Sequence, residues 1–213
     1  MKKITILIPV YNDWDSLNKL LNEINFFIGE IKNVNFNCIV INDASTLPKP
    51  KISVPSNISS IDLIDMKENR GHARCNAFGI RYLAKNGNFD YLILMDGDGE
   101  DRPEEIKLLV EKALSNENIS VVAKRVKRSE GFIFQLLYQI HKIITYILSG
   151  KLVNFGNYTC LTLKDVKIIS GRKSLWSSFS GTVKKNILKL TTINSVRGLR
   201  YFGPSKMSLY KLG

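Results

Sequence analysis

Apolar residues gather into five short runs, Ile4–Val10, Cys38–Asn42, Ile61–Asp65, Tyr91–Met95 and Ile119–Ala123, each of strand length. The fourth is almost wholly apolar, as a strand covered on both faces must be. Between the runs the apolar spacing lengthens to that of a helix, over Ser16–Phe27, Gly71–Lys85 and Pro103–Leu114. The order β-α-β-β-α-β-α-β predicts an α/β protein with a mostly parallel, doubly wound sheet flanked by helices. Leu47–Ser59, rich in Pro, Ser and Lys, reads as a surface connection. The third helix has a clear start, with Asp101 as its N-cap, Pro103 in the first turn and Glu104 and Glu105 behind it.

The end of the fourth run changes the picture from fold to chemistry. Met95-Asp96-Gly97-Asp98-Gly99-Glu100-Asp101-Arg102-Pro103 sets four carboxylates at a strand C-terminus, where open α/β sheets bind ligands. Asp96 and Asp98 are alternate residues, so a turn is needed before both face one hard cation, and Gly97 and Gly99 supply that freedom. Two readings stand: a Mg²⁺ or Mn²⁺ site bridging a diphosphate, or an acidic loop that only caps the next helix. The strand before it and the capped helix after it favour the metal.

Residues Phe132–Ser149 carry two stripes at helical spacing, Ile133, Leu137, Ile140, Ile144 and Leu148 on one face and Gln135, Gln139, Lys142, Tyr146 and Ser149 on the other. Periodicity fits a helix on the sheet and a helix in a membrane interface equally. Charge tips the balance. Residues 1–130 hold 18 Lys+Arg and 18 Asp+Glu, whereas residues 131–213 hold 13 Lys+Arg against Asp165 alone, so 13 − 1 accounts for the whole net charge of +12. The last third therefore meets something anionic. The division suggests a core at 1–130 and a basic amphipathic extension of the same domain at 131–213. Cys38, Cys75 and Cys160 are odd in number and far apart, as in a reduced cytosolic protein. The N-terminal apolar run contains Thr5 and Pro9 and leads into Tyr11-Asn12-Asp13, which fits a first strand better than a signal peptide. No stretch reaches about 20 uninterrupted apolar residues.

Six markers in order resemble the family 2 glycosyltransferases of the GT-A (Rossmann-like) fold, in the branch of dolichol-phosphate mannose synthase and the bacterial polyprenyl-phosphate glycosyltransferases. They are Ile8-Pro9-Val10-Tyr11-Asn12, Val40-Ile41-Asn42-Asp43-Ala44-Ser45, Asn69-Arg70-Gly71 with Ala73-Arg74-Cys75-Asn76, Met95–Pro103, Gly156-Asn157-Tyr158, and Gly203-Pro204-Ser205-Lys206. Together they span nearly all of the chain.

The resemblance implies a nucleotide-sugar site at Pro9, Tyr11, Asn12, Asp43, Arg70, Asp96, Gly97 and Lys206. Within it Asp43 would meet the base, whose ring edge presents N–H donors, and Arg70 would meet phosphate oxygens. Asp96, Asp98 and Glu100 would hold Mg²⁺ or Mn²⁺, with Glu100 standing where many relatives have Gln. Arg125, Arg128 and Ser129 would bind the acceptor phosphate. Asp98 and Asn157 are the candidate catalytic residues. Asn157 replaces an Asp common in relatives, and an amide cannot act as a base, so the change favours a ready-ionised phosphate acceptor over a sugar hydroxyl unless Asp101 or Glu130 reaches the acceptor. Asp165, in the helix-like Lys164–Ile169, reads as a cap. Pro204 replaces the Glu of relatives, in a loop thought to close over the diphosphate.

The expectation is an inverting, metal-dependent transferase moving a hexose from a UDP- or GDP-sugar to polyprenyl phosphate, peripheral on the inner face of the cytoplasmic membrane. Its partners would be the nucleotide sugar, the lipid phosphate and an anionic membrane surface. Nucleic acid is not expected, for want of a recognition motif, and a homo-oligomer stays open. Two alternatives remain: transfer to a saccharide hydroxyl in cell-surface polysaccharide synthesis, and a catalytically silent nucleotide-sugar-binding partner.

Overall fold

A computed structural model describes residues 1–116, 119–126 and 154–204. These residues form one seven-stranded sheet in the order β3-β2-β1-β4-β6-β5-β7. The strands are β1 (Lys2–Val10), β2 (Val34–Asn42), β3 (Ile61–Asp65), β4 (Tyr91–Leu94), β5 (Ser120–Arg125), β6 (Phe155–Thr162) and β7 (Leu190–Ser195). β1 lies between β2 and β4 and is parallel to both, in registers that set Ile4 against Phe36 and Tyr91. β6 alone runs antiparallel, inserted between β4 and β5.

The helices α1 (Trp14–Ile28), α2 (His72–Asn86), α3 (Ile106–Ser115), α4 (Leu163–Ser170) and α5 (Phe179–Asn186) cover the two faces. Leu17, Leu20, Leu21, Ile24 and Ile28 form the buried stripe of α1, which packs with α3 on the side chains of Ile4, Ile6, Ile8 and Ile93. The alternate residues Leu7, Leu92 and Leu94 face the other way, onto α2, α4 and α5. Two apolar layers therefore clamp β1 and β4, which is why these strands read as nearly unbroken apolar runs. Burial in those layers pushes the thiols of Cys38 and Cys160 up to about 12, leaving them protonated.

Two helix starts follow local chemistry. The Thr162 side chain caps α4 by accepting from Asp165 N at 3.2 Å, and that of Ser178 caps α5 by accepting from Gly181 N at 3.2 Å. The expected N-cap at Asp101 is not made. A 3-10 turn over Pro103–Glu105 precedes α3, Arg102 holds the cap position, and the Asp101 carboxylate turns back to accept from Asp96 N at 2.9 Å. Asp165 is likewise no cap: its carboxylate is buried and accepts from Ser120 Oγ at 2.5 Å, pinning α4 to β5.

Strands β1 and β2 begin earlier than their apolar runs, and β4 ends at Leu94 rather than Met95. The sequence pattern missed β6, β7 and α5. Sheet membership crosses the expected 130/131 division, since β6 pairs with β4 and β7 with β5. The helix expected at Phe132–Ser149 lies outside the described residues.

Candidate functional site

Strand order reverses between β1 and β4, with β2 on one side and β6 on the other. The crevice beyond the C-terminal ends of β1, β2 and β4 is thus a topological switch point. The loops after these strands meet there. Gly97 sits so close to the first strand that a Cβ on it would fall 2.9 Å from Pro9 O, and Gly99 adopts φ +88° with a would-be Cβ 2.5 Å from the Tyr201 ring. Side chains at either position would push the acid loop off its supports.

The loops after β1 and β2 are stitched together by Asn12, which holds φ +50°. Its Oδ1 accepts from Thr46 N at 2.8 Å and Leu47 N at 3.0 Å, and its backbone N–H donates to Ser45 Oγ at 2.8 Å. Asp43 is buried and accepts from Arg70 N at 2.8 Å and Gly71 N at 2.9 Å, so its carboxylate anchors the start of α2. The Arg70 side chain is exposed at the rim and pairs with Glu68. Tyr11 is half-buried beside Asn12.

The acids of the loop after β4 do not gather as a set. Asp96 Oδ1 accepts from Asn157 Nδ2 at 3.1 Å and lies 3.2 Å from His72 Nε2. Burial alone would raise the Asp96 carboxyl, but the His72 ring, the Asn157 amide and the Arg125 charge outweigh it and hold it below the ordinary range. The same pairing raises His72 against the effect of its own burial. The amide nitrogens of Asn76 and Asn157 lie 3.0 and 2.8 Å from the same His72 Nε2, and Asn76 is buried with its Oδ1 unpartnered.

Asp98 accepts from Glu100 N at 3.0 Å through Oδ1 and from Arg200 at 2.8 Å through Oδ2. Burial and the neighbouring Asp96 charge raise its pKa, opposed by Arg200 and Arg197. Arg200 also pairs with Asp13, and Arg197 pairs with Glu100.

These arginines belong to a strap over residues 196–202. It is fixed at its base by Val196 N on Glu105 Oε1 at 3.0 Å and across the loop by Gly198 N on Glu100 O and Tyr201 N on Asp98 O, both at 2.9 Å. At its far end Tyr201 donates to Glu23 of α1 at 2.5 Å, with the Lys19 ammonium 4.5 Å from the centre of the Tyr201 ring.

Among the described residues, no three His, Cys, Asp or Glu side chains are gathered to hold a metal ion, so the expected set of Asp96, Asp98 and Glu100 is not assembled. The reason is local: Arg197 draws Glu100 aside, while His72 and Asn157 hold Asp96. What fits a hard divalent cation is Asp98, an oxygen ligand repelled by a neighbouring carboxylate, together with phosphate oxygens from a ligand.

Asn157 stands beside Asp96 and is bonded to it. Arg125, at the end of β5, lies with its guanidinium over Gly156 and 3.8 Å from Asp101. Arg128, Ser129, Glu130 and Lys206 fall outside the described residues. His72, Asp13, Arg197, Arg200 and Tyr201 were not singled out from the sequence. His72 directly follows the Asn69-Arg70-Gly71 marker and Arg200 precedes Gly203-Pro204, and only that proximity signalled them.

A family model described as Glycosyl transferase family 2 matches residues 5–170. The chain belongs to this family. It is 25% identical over 215 residues to an uncharacterised glycosyltransferase of Synechocystis sp., covering 99% of this chain and 66% of that protein. It is also 25% identical over 162 residues to the undecaprenyl-phosphate 4-deoxy-4-formamido-L-arabinose transferase of Klebsiella pneumoniae, covering 76% of this chain and 48% of that one. The chain thus spans between about half and two thirds of the length of these relatives.

The fold matches that of glucosyl-3-phosphoglycerate synthase from Mycobacterium tuberculosis, solved with Mn²⁺, UDP and glucosyl-3-phosphoglycerate. The TM-score is 0.61 and the identity 13%, over 95% of this chain and 73% of that one. This member of family 2 therefore has the GT-A architecture, a mostly parallel sheet flanked by helices.

Proposed function

We propose that the chain is an inverting, metal-dependent glycosyltransferase that moves a hexose from a UDP- or GDP-sugar to a polyprenyl phosphate at the cytoplasmic face of a membrane. The observation that carries this reading is the engagement of the described carboxylates around the switch point. Asp43 serves two backbone N–H groups, Asp96 meets His72 and Asn157, Asp98 meets Arg200, Glu100 meets Arg197, and Asp101 serves Asp96 N. An acceptor hydroxyl would have to take one of them from its partner to lose its proton. A phosphate arrives already charged.

In this mechanism an acceptor phosphate oxygen attacks the sugar C1 from the face opposite the nucleotide. The C1–O bond to the diphosphate breaks, the configuration inverts, and the nucleoside diphosphate leaves with the bonding pair; no proton is transferred. Asp98, with Asp96 beside it, would hold Mg²⁺ or Mn²⁺, which when bound offsets the charge growing on the leaving diphosphate. Arg125, at the end of β5, offers the acceptor phosphate a cation. The loops tied by Asn12 and Asp43 form the cradle for the base and ribose. Relatives that are undecaprenyl-phosphate 4-deoxy-4-formamido-L-arabinose transferases, and a fold neighbour bound to Mn²⁺ and UDP, support the acceptor and the donor classes.

An anionic membrane surface suits the same reading. Between residues 163 and 189 the chain has seven lysines and arginines, all exposed, and one carboxylate, the buried Asp165. No helix among the described residues is long and apolar enough to cross a membrane.

Calorimetric titration of UDP- and GDP-sugars with Mn²⁺ tests the donor half. Binding that vanishes in EDTA is expected, and equal binding with and without metal would overturn the metal-dependent reading.

A further inference from the structure

A carboxylate removed from water needs partners, because an unpaired buried charge is strongly disfavoured. Asp101 is 4% exposed and, having no helix to cap, puts its two oxygens to other uses. Oδ2 accepts from Asp96 N at 2.9 Å, and Oδ1 faces the Arg125 guanidinium at 3.8 Å. The Arg125 guanidinium lies close over Gly156, where a Cβ would come within 3.1 Å of Nη2. The residue after Gly156 is Asn157, whose amide returns to Asp96 Oδ1 at 3.1 Å. A closed path therefore runs from Asp96 through Asp101 and Arg125 to β6 and back to Asp96, joining the ends of β4, β5 and β6.

We infer that Asp101 is a positioning residue that fixes the acceptor-side cation, Arg125, in register with the donor-side acid loop. The inference rests on the reading of Arg125 as a phosphate-binding group. Asp101 steadies one edge of the guanidinium, and the side chain as a whole is 38% exposed, which leaves room for an incoming anion. It touches neither the donor nor the reacting atoms.

The variants separate its two bonds. Asp101→Asn keeps an oxygen for Asp96 N–H and replaces only the acid oxygen facing Arg125; Asp101→Ala removes both. Gly156→Ala displaces Arg125 from the other side without touching a buried carboxylate, so it serves even where Asp101 variants fold poorly.

Steady-state kinetics with a short-chain polyprenyl phosphate should show a KM for the acceptor raised on the order of tenfold in Asp101→Asn and Gly156→Ala. The donor dissociation constant should change less than about twofold, the Asp96 N–H bond being kept. Combining Asp101→Asn with Arg125→Ala should add little to Arg125→Ala alone. Additive losses, or equal losses of donor and acceptor affinity, would overturn the inference.

A second readout does not depend on the acceptor. The Arg125 Nε–H resonance, assigned by its loss in Arg125→Lys, should shift in Asp101→Asn in the protein without substrates. A shift in a protein that never uses polyprenyl phosphate would keep the positioning role and reject the acceptor reading, whereas an unmoved resonance would reject the positioning role itself.

Discussion

Asp98 and the His72–Asp96 pair are the residues on which the chemistry turns. Asp98 sits at the mouth of the crevice with its carboxylate between Arg200 and the backbone of Glu100. Asp98→Ala should abolish Mn²⁺-dependent nucleotide-sugar binding in calorimetry while leaving the circular dichroism and the cooperative melt intact, because its loop is also held by Gly97, Gly99 and Tyr201; unchanged binding would place the metal elsewhere.

The His72–Asp96 pair has a pH signature. His72 is raised above 6.5 in the folded protein, so the folded state binds its proton more tightly than the unfolded chain does. The stability it contributes is fully present below pH 6.5 and is lost as pH rises through the raised value. Asp96 is lowered below 3.8, so its share is present above that value and fades as pH falls through the lowered one. Melting temperature followed upward from below pH 6.5 should fall in the native protein as pH passes the raised His72 value and flatten in Asp96→Asn; parallel curves would mean that the pair carries no linkage.

At the level of elements, the 196–202 strap is the feature that sequence reasoning did not reach. Its two arginines are the counter-charges of the acid loop, and Arg200 occupies one of the oxygens that a cation would use on Asp98. Under the proposed mechanism, metal and Arg200 compete for Asp98. Arg200→Ala should therefore tighten binding of Mn²⁺ alone and weaken binding of the nucleotide sugar, two effects of opposite sign that one set of titrations reads out. Losses of both would make Arg200 a structural residue only. The strap also depends on Gly99. Gly99→Ala forces a side chain into φ +88° and against the Tyr201 ring, and should destabilise the fold by about 1–2 kcal/mol in chemical denaturation.

The strap was illegible because it has no periodic pattern: Val196, Gly198 and Leu199 belong to no face of a helix or strand, and its contacts are with residues 91 to 187 positions earlier. β7 was missed for a related reason. As an edge strand written Leu-Thr-Thr-Ile-Asn-Ser, it has little apolar surface to advertise. β6 carries a Gly-Asn start that looks like a turn, and both residues are there for the site, Gly156 under Arg125 and Asn157 on Asp96.

For the molecule as a whole, the doubly wound core was legible because β1 and β4 are buried from both sides and their apolar runs say so without reference to distant partners. The positions at the switch point were legible as positions, but their roles were less so. Asp43 and Asp101 read as groups for a base and a helix cap, and the fold gives Asp43 two backbone N–H groups to hold and Asp101 one. Glu100 reads as a ligand and is drawn to Arg197. For Asp43 and Glu100 the deciding partner comes from a loop further along the chain, which spacing within a motif does not report, whereas Asp101 turns back onto the Asp96 N–H of its own loop. The resulting surface has a basic flank on α4 and α5 and an acid-lined crevice guarded by arginines, a combination suited to an enzyme working between a diphosphate donor and an anionic lipid phosphate.

The account's central claim is that the acceptor is a phosphate that needs no base. The most direct measurement compares transfer of labelled sugar, from the donor found by calorimetry, to a polyprenyl phosphate and to the matching polyprenol. Product with the phosphate and none with the alcohol is expected, the product being a polyprenyl phospho-sugar of inverted configuration. Transfer to the alcohol, or to a saccharide hydroxyl, at a comparable rate would contradict it.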